Sequence, residues 1–130
     1  MNELNYVGLL AIEFFEVEDE GRRQLLANEM APRVHNSGHW TQDGAVISQF
    51  ENHLRAILGL PLGSTKVNGY AAMVNLIGEL PDMDKLLSIP EAKLHLYGKT
   101  ARAGRKLGHI NIISDSSEEL MERVKSIHKL

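Results

Sequence analysis

Cysteine is absent from the 130 residues, which excludes disulfides and thiolate metal centres and fits a reducing compartment. No apolar run approaches the roughly 20 residues of a membrane-spanning helix, and the N-terminus lacks a basic-then-apolar leader, so a cytoplasmic protein with no membrane partner is expected. Aromatic residues make up only 5% of the chain, with little beyond Tyr97 interleaved among its basic residues. Together with a formal net charge of -3, this argues against a nucleic-acid partner. Neither G-x-x-x-x-G-K-[ST] nor G-x-G-x-x-G occurs, which excludes a Walker loop and the dinucleotide fingerprint. There is no internal repeat and no low-complexity tract. What is present has the composition of a globular protein, 43% hydrophobic and 24% charged, and the length of one ordinary domain or two small lobes.

Charge is unevenly spread. The first part carries Glu3, Glu13, Glu16, Glu18, Asp19, Glu20 and Glu29 against Arg22 and Arg23, whereas Lys93 to His109 holds Lys93, Lys99, Arg102, Arg105 and Lys106 with no acid. Three glycines in Gly98 to Gly108 allow tight turning among those cations, so the segment reads either as a solvated basic loop or as an anion site.

Val7 to Glu16 and Gln24 to Met30 are β-forming runs around a polar Glu18-Asp19-Glu20-Gly21 turn, which predicts an antiparallel hairpin. A turn centred near Gly21 pairs residues summing to 42: Phe15 with Ala27, Val17 with Leu25, and Glu13 with Glu29. Directly opposed strand residues lie about 5 Å apart at Cβ, and two carboxylates at that spacing destabilise a sheet unless neutralised. Sharing a face with Ala11, Phe15, Leu25 and Ala27, the pair is expected to be partly desolvated. Three solutions stand: a protonated Glu, a slipped register, or a hard divalent cation such as Mg²⁺.

Ser48 and Glu51 are spaced as a capping box for a helix over Ser48 to Leu58, with Phe50, Leu54, Ile57 and Leu58 on one stripe and Gly59 and Pro61 ending it. Strands are predicted at Ala71 to Ile77, Lys93 to Tyr97 and Leu107 to Ile113, and a short helical turn at Met83 to Leu87. A final helix opens at Ser116 and Glu119 and buries Leu120, Val124 and Ile127. The class is α+β, with a boundary near Pro61-Leu62-Gly63-Ser64.

Asn28 to Thr41 is the densest polar stretch, placing an acid, a guanidinium, two imidazoles, an amide and a hydroxyl around Pro32 and Gly38, as a ligand-holding loop does. Arg33 has a planar fork suited to carboxylate, bicarbonate or phosphate. Asn36 and Ser37 either make turn bonds or orient a polar substrate. His35 and His39 are four apart, but Pro32 and Gly38 oppose a helix there, and zinc is not expected.

Leu4 to Gly8, Asn28 to Thr41, Ser48 to Ile57, Leu94 to Lys99 and Gly104 to His109 together resemble the C-terminal part of the N5-carboxyaminoimidazole ribonucleotide synthase family, which are ATP-grasp ligases of purine synthesis. The resemblance implies the end of an ATP-grasp lobe over residues 1–60, a hairpin plus helix. A small antiparallel β domain with a terminal helix then follows over residues 61–130. It implies a reaction in which ATP phosphorylates bicarbonate to carboxyphosphate, whose carboxyl is captured by aminoimidazole ribonucleotide. Carried over by position, Glu13 and Glu29 become Mg²⁺ ligands, with Asn28 and Glu29 on the ATP side. Arg33 and His35 become catalytic, and Asn36 and Ser37 line the bicarbonate and ribonucleotide side. Lys99, Arg105 and Lys106 hold the 5'-phosphate. A homodimer is implied, as is an adenine pocket supplied from outside this chain, which leaves the segment inactive alone. A formate-dependent glycinamide ribonucleotide transformylase is the sibling alternative, and a non-catalytic anion-binding module the alternative from another class.

Overall fold

The computed structural model describes residues 2–130. Strands β1 (Ala11–Asp19) and β2 (Arg22–Ala31) form a two-stranded antiparallel ribbon. Its turn is tighter than the sequence suggested. Asp19 pairs with Arg22, leaving only Glu20 and Gly21 in the loop, at φ 48° and 74°. Two successive residues at positive φ give the right-twisting turn that matches the twist of a hairpin, and only the glycine adopts it without a Cβ penalty.

That two-residue turn makes partners sum to 41, so the predicted Phe15–Ala27 and Val17–Leu25 pairs do not form; Phe15 faces Leu26 and Val17 faces Gln24. A register shift between Glu13 and Phe14 then leaves Asn28 as an extra residue on β2, and beyond it Glu13 does face Glu29. The bulge therefore restores the predicted carboxylate pair. The expected start at Val7 is also corrected. Residues before Ala11 are held instead by the Leu9 N–H donating to His53 Nδ1 at 2.9 Å and, within the segment, by the Tyr6 hydroxyl donating to the Leu9 carbonyl at 3.0 Å.

After β2 come a 3₁₀ turn (Asn36–Gly38), a short helix α1 (Thr41–Gly44) and helix α2 (Gln49–Ile57). Ser48 caps α2 as expected, its Oγ accepting the Glu51 N–H at 3.2 Å. The apolar stripe of α2 is not buried, however: Leu54, Ile57 and Leu58 are all more than half exposed, as are Phe14, Phe15 and Leu25 on the ribbon. The segment after α2 doubles back, Val46 N–H donating to Lys66 O and Asn68 N–H to Gly44 O.

Strands β3 (Tyr70–Ile77), β4 (Lys93–Leu96) and β5 (Lys106–Ser114) form an antiparallel sheet in the order β3-β5-β4, with α3 (Met83–Leu87) between β3 and β4 and α4 (Ser117–Ile127) at the end. Alternation along β5 divides the sheet into two faces. Ile110 and Ile112 join Leu76, Leu86, Leu120 and Ile127 in the core beneath α3 and α4. Burying each such side chain contributes roughly 2 kcal/mol. Ser116 caps α4, accepting the Glu119 N–H. The opposite face is polar: Asn75, His109 and His95 lie in one row across the three strands, and Asn111 and Lys93 in the next. Residues 36–44 cover this face, and their side chains bond to it.

Candidate functional site

Glu13 and Glu29 are brought together by the bulge and meet His35. His35 Nε2 lies 3.0 Å from Glu29 Oε1 and 3.4 Å from Glu13 Oε1, and one ligand atom from each of the three falls within 4.8 Å of the others. Asn28, the bulged residue, donates from Nδ2 to Glu13 Oε2 at 3.3 Å. The carboxylates are less desolvated than their sequence neighbours implied, with side chains 43% and 48% exposed, because the apolar residues of the ribbon are themselves bare.

His35 is the buried member of this cluster. Its backbone is extended, at φ −124° and ψ 146°, and its side chain accepts the Ser37 N–H at the head of the 3₁₀ turn. With Nδ1 an acceptor, the ring hydrogen sits on Nε2 and is donated to Glu29. The imidazole therefore holds one edge of the carboxylate pair as a donor and Asn28 holds Glu13 from the other, while both carboxylates keep solvent-exposed surface. Their oxygens are hard donors of the type a Mg²⁺ ion takes.

Gln49, at the head of α2, clamps the loop. It accepts the His35 N–H at 3.1 Å and donates to the His35 carbonyl at 2.7 Å, and its Nε2 lies 2.7 Å from His39 Nδ1. Gly38 is required there, since a Cβ at that position would fall 2.6 Å from Gln49 Oε1. Thr41 adds a second tie, donating to the Gly38 carbonyl at 2.6 Å while accepting the Gln49 N–H at 2.9 Å.

Because His35 is extended, its immediate neighbours Val34 and Asn36 point the other way. Both line an open cleft of about 930 Å³ between the loop and the polar sheet face, together with Arg33, His39, Tyr97, Lys99 and Lys106. Asn36 and Asn75 exchange amide hydrogen bonds at 2.8 and 3.1 Å, and Lys106 Nζ donates to Asn36 Oδ1 at 2.9 Å. Lys99 Nζ sits 5.3 Å from the Tyr97 ring centroid. Among the described residues, Arg33, Lys99 and Lys106 have no carboxylate partner, leaving three cations free to meet an anion.

The floor of the cleft is a histidine cluster. His95 and His109 are stacked with centroids 4.6 Å apart, and His39 lies 5.3 Å from His109. Burial, with the charges of His95 and His39 adding to it, pushes His109 down to about 4; burial and neighbouring cations likewise lower His39. Asp43 sits beneath, 2.7 Å from His95 Nε2 and accepting from Asn111 Nδ2 at 2.8 Å. Burial alone raises the Asp43 pKa, but the hydrogen bonds from Asn111 and His95 outweigh it and hold the group below the usual range.

Of the residues singled out from the sequence, Glu13, Glu29, His35, Asn28 and Ser37 thus gather on one side of the loop, and Arg33, Asn36, Lys99 and Lys106 on the other. Arg105 is not among the cleft residues; its guanidinium donates to the Thr100 carbonyl at 3.3 Å and braces the basic loop. Gln49, Asp43, Asn75, His95 and Asn111 were not anticipated. For Asn75, His95 and Asn111 the available signal was a polar residue inside a largely apolar strand; Asp43 and Gln49 lie on helices and gave no such signal.

Residues 71–123 match the family model described as phosphoribosylaminoimidazole carboxylase C-terminal domain, and residues 1–50 match the ATP-grasp domain. The N5-carboxyaminoimidazole ribonucleotide synthase of Vibrio cholerae is 57% identical over 122 residues, covering 94% of this chain and 31% of the relative. That of Escherichia coli is 50% identical over 127 residues, covering 98% and 34%. The crystal structure of the Thermus thermophilus synthetase superposes with a TM-score of 0.89 at 57% identity, covering all of this chain and 35% of that one. The Aspergillus clavatus enzyme in complex with ADP and 5-aminoimidazole ribonucleotide gives 0.78 at 39% identity, covering 93% and 34%. The chain spans about a third of the length of the curated relatives it matches.

Proposed function

Because the chain belongs to the N5-carboxyaminoimidazole ribonucleotide synthase family of ATP-grasp proteins, we propose that it supplies one wall of an ATP-dependent ligase that carboxylates 5-aminoimidazole ribonucleotide with bicarbonate in purine biosynthesis. The observation that carries this reading is a single loop, residues 33–38, that meets the carboxylate pair of the ribbon through His35 and lines a cleft holding the unpaired cations Arg33, Lys99 and Lys106. Glu13 and Glu29 bind Mg²⁺, which when present offsets charge on the ATP phosphates, and Asn28 and His35 hold the two carboxylates in place. Arg33 meets the developing negative charge as bicarbonate becomes carboxyphosphate, and its fixed fork needs no reorganisation at that moment. His35 and Ser37 orient the reacting end of the loop, and Asn36 positions the ribonucleotide. Lys99 and Lys106 hold its 5'-phosphate, with Arg105 shaping the loop that carries them.

Residues 1–60 act in this reading as the end of the ATP-grasp lobe and residues 61–130 as a small C-terminal domain. Family membership supports a cytoplasmic homodimer handling small molecules; among the described residues, no helix is long and apolar enough to cross a membrane. The test is a chimera in which this chain replaces the matching segment of the Vibrio cholerae relative, assayed for ribonucleotide-dependent ADP release. Turnover near that of the parent is expected. A folded chimera that binds ATP but consumes no ribonucleotide overturns the reading.

A further inference from the structure

Tyr97 and His109 form a pair that the proposed reaction does not yet use. The Tyr97 hydroxyl lies 2.7 Å from His109 Nδ1, and the other ring nitrogen, Nε2, is buried without any hydrogen-bond partner among the described residues. His109 is 1% exposed and crowded by His95 and His39, so the ring is neutral and carries one hydrogen. If that hydrogen were on Nε2, a donor would be buried with nothing to receive it. On Nδ1 it is used, and only a lone pair is left unmatched, which is the less costly orphan. The Tyr97 oxygen is then an acceptor toward His109, and its own hydrogen must be aimed elsewhere. Tyr97 lines the cleft with Arg33, Lys99 and Lys106, where the free cations gather.

We propose that Tyr97 donates its phenolic hydrogen to the phosphate monoester bound in this cleft, and that His109 is the positioning residue that fixes the direction of that hydrogen. Resting on the reading of the cleft as the ribonucleotide phosphate site, this adds a neutral, directional donor to the cations Lys99 and Lys106. A cation attracts any anion, whereas a hydroxyl held in one orientation selects the position of the phosphate oxygen.

The experiment titrates this chain with ribose 5-phosphate and records long-range ¹H–¹⁵N correlation spectra of its histidines. The expected spectrum has His109 protonated at Nδ1. Tyr97→Phe is expected to weaken ribose 5-phosphate binding about tenfold, and His109→Leu comparably, with the double variant no weaker than either alone. His109→Asn, whose amide falls near the place of Nδ1 and can donate, restores most of the affinity. A hydrogen found on Nε2, or a Tyr97→Phe affinity equal to wild type while Lys99→Ala binds poorly, overturns this inference and leaves the phosphate reading intact. A wild-type chain that does not bind ribose 5-phosphate, or binds it equally well without Lys99 and Lys106, overturns the phosphate reading and this inference with it.

Discussion

Individual side chains in this protein are held in place by specific partners. Glu29 is the clearest, since it faces a second carboxylate across the ribbon and receives a hydrogen bond from His35. In the Vibrio chimera, Glu29→Gln is expected to reduce Mg²⁺-dependent ADP release by at least a hundredfold with the fold retained; wild-type turnover would remove the metal role. His109 gives a pH prediction with a definite sign. Its folded pKa is about 4 against 6.5 for an ordinary histidine, so the unfolded chain takes up a proton that the folded chain refuses. Stability is therefore full above pH 6.5 and falls as pH drops toward 4, by on the order of 3 kcal/mol for this one residue. His39, also lowered, acts in the same direction. The carboxylate of Asp43 contributes stability above 3.8 that is lost as pH falls through its lowered folded value. Urea midpoints at pH 7.5, 5.5 and 4.5 measure this, and a flat profile would contradict the buried neutral imidazole.

At the scale of the element, the ribbon shows local geometry overruling residue counting. A two-residue turn and a one-residue bulge offset each other, so the carboxylate pair survives while every pair between bulge and turn differs from expectation. Glu20 carries the strain of the turn at φ 48°. Glu20→Asn is expected to stabilise by about 0.5–1 kcal/mol, because asparagine tolerates the left-handed region that glutamate resists. Ser116→Ala is expected to cost about 1 kcal/mol by removing the cap of α4. Thermal unfolding of the two variants checks both, and an unchanged midpoint in either would contradict the corresponding local account.

On the scale of the whole molecule, the chain is divided between a well-filled C-terminal core and an N-terminal part whose apolar residues find no cover. Phe14, Phe15, Leu25, Leu54 and Leu58 are all at least half exposed, and a groove beside α2 is lined by Leu54, Leu58, Leu60 and Pro61. Contiguous apolar surface of this kind associates in water. Sedimentation of the chain alone is expected to show concentration-dependent self-association, abolished by Leu54→Glu with Leu58→Glu. The same double change is expected to alter unfolding free energy by less than about 0.5 kcal/mol, since the positions are uncovered. A monomer at all concentrations would contradict the expectation.

What the sequence determined by itself was everything that depends on short-range pattern. Caps at Ser48 and Ser116, the strands β3 and β5, and the helical stripe of α4 are all written within a few residues and appear where they were expected. The opposition of Glu13 and Glu29 was legible for the same reason, although the bulge that secures it was not. Only the tertiary structure decided which side each residue of the polar loop faces, because that turns on Gln49 gripping the backbone of His35 from another helix. It also decided that Lys106 and Lys99 join Arg33 while Arg105 turns back on its own loop. The histidine floor follows likewise from strand register: His95 stacks on His109 because β4 and β5 place them in direct opposition across positions distant in the chain. Pairing at that range is set by the packing of the whole sheet, and no local pattern encodes it.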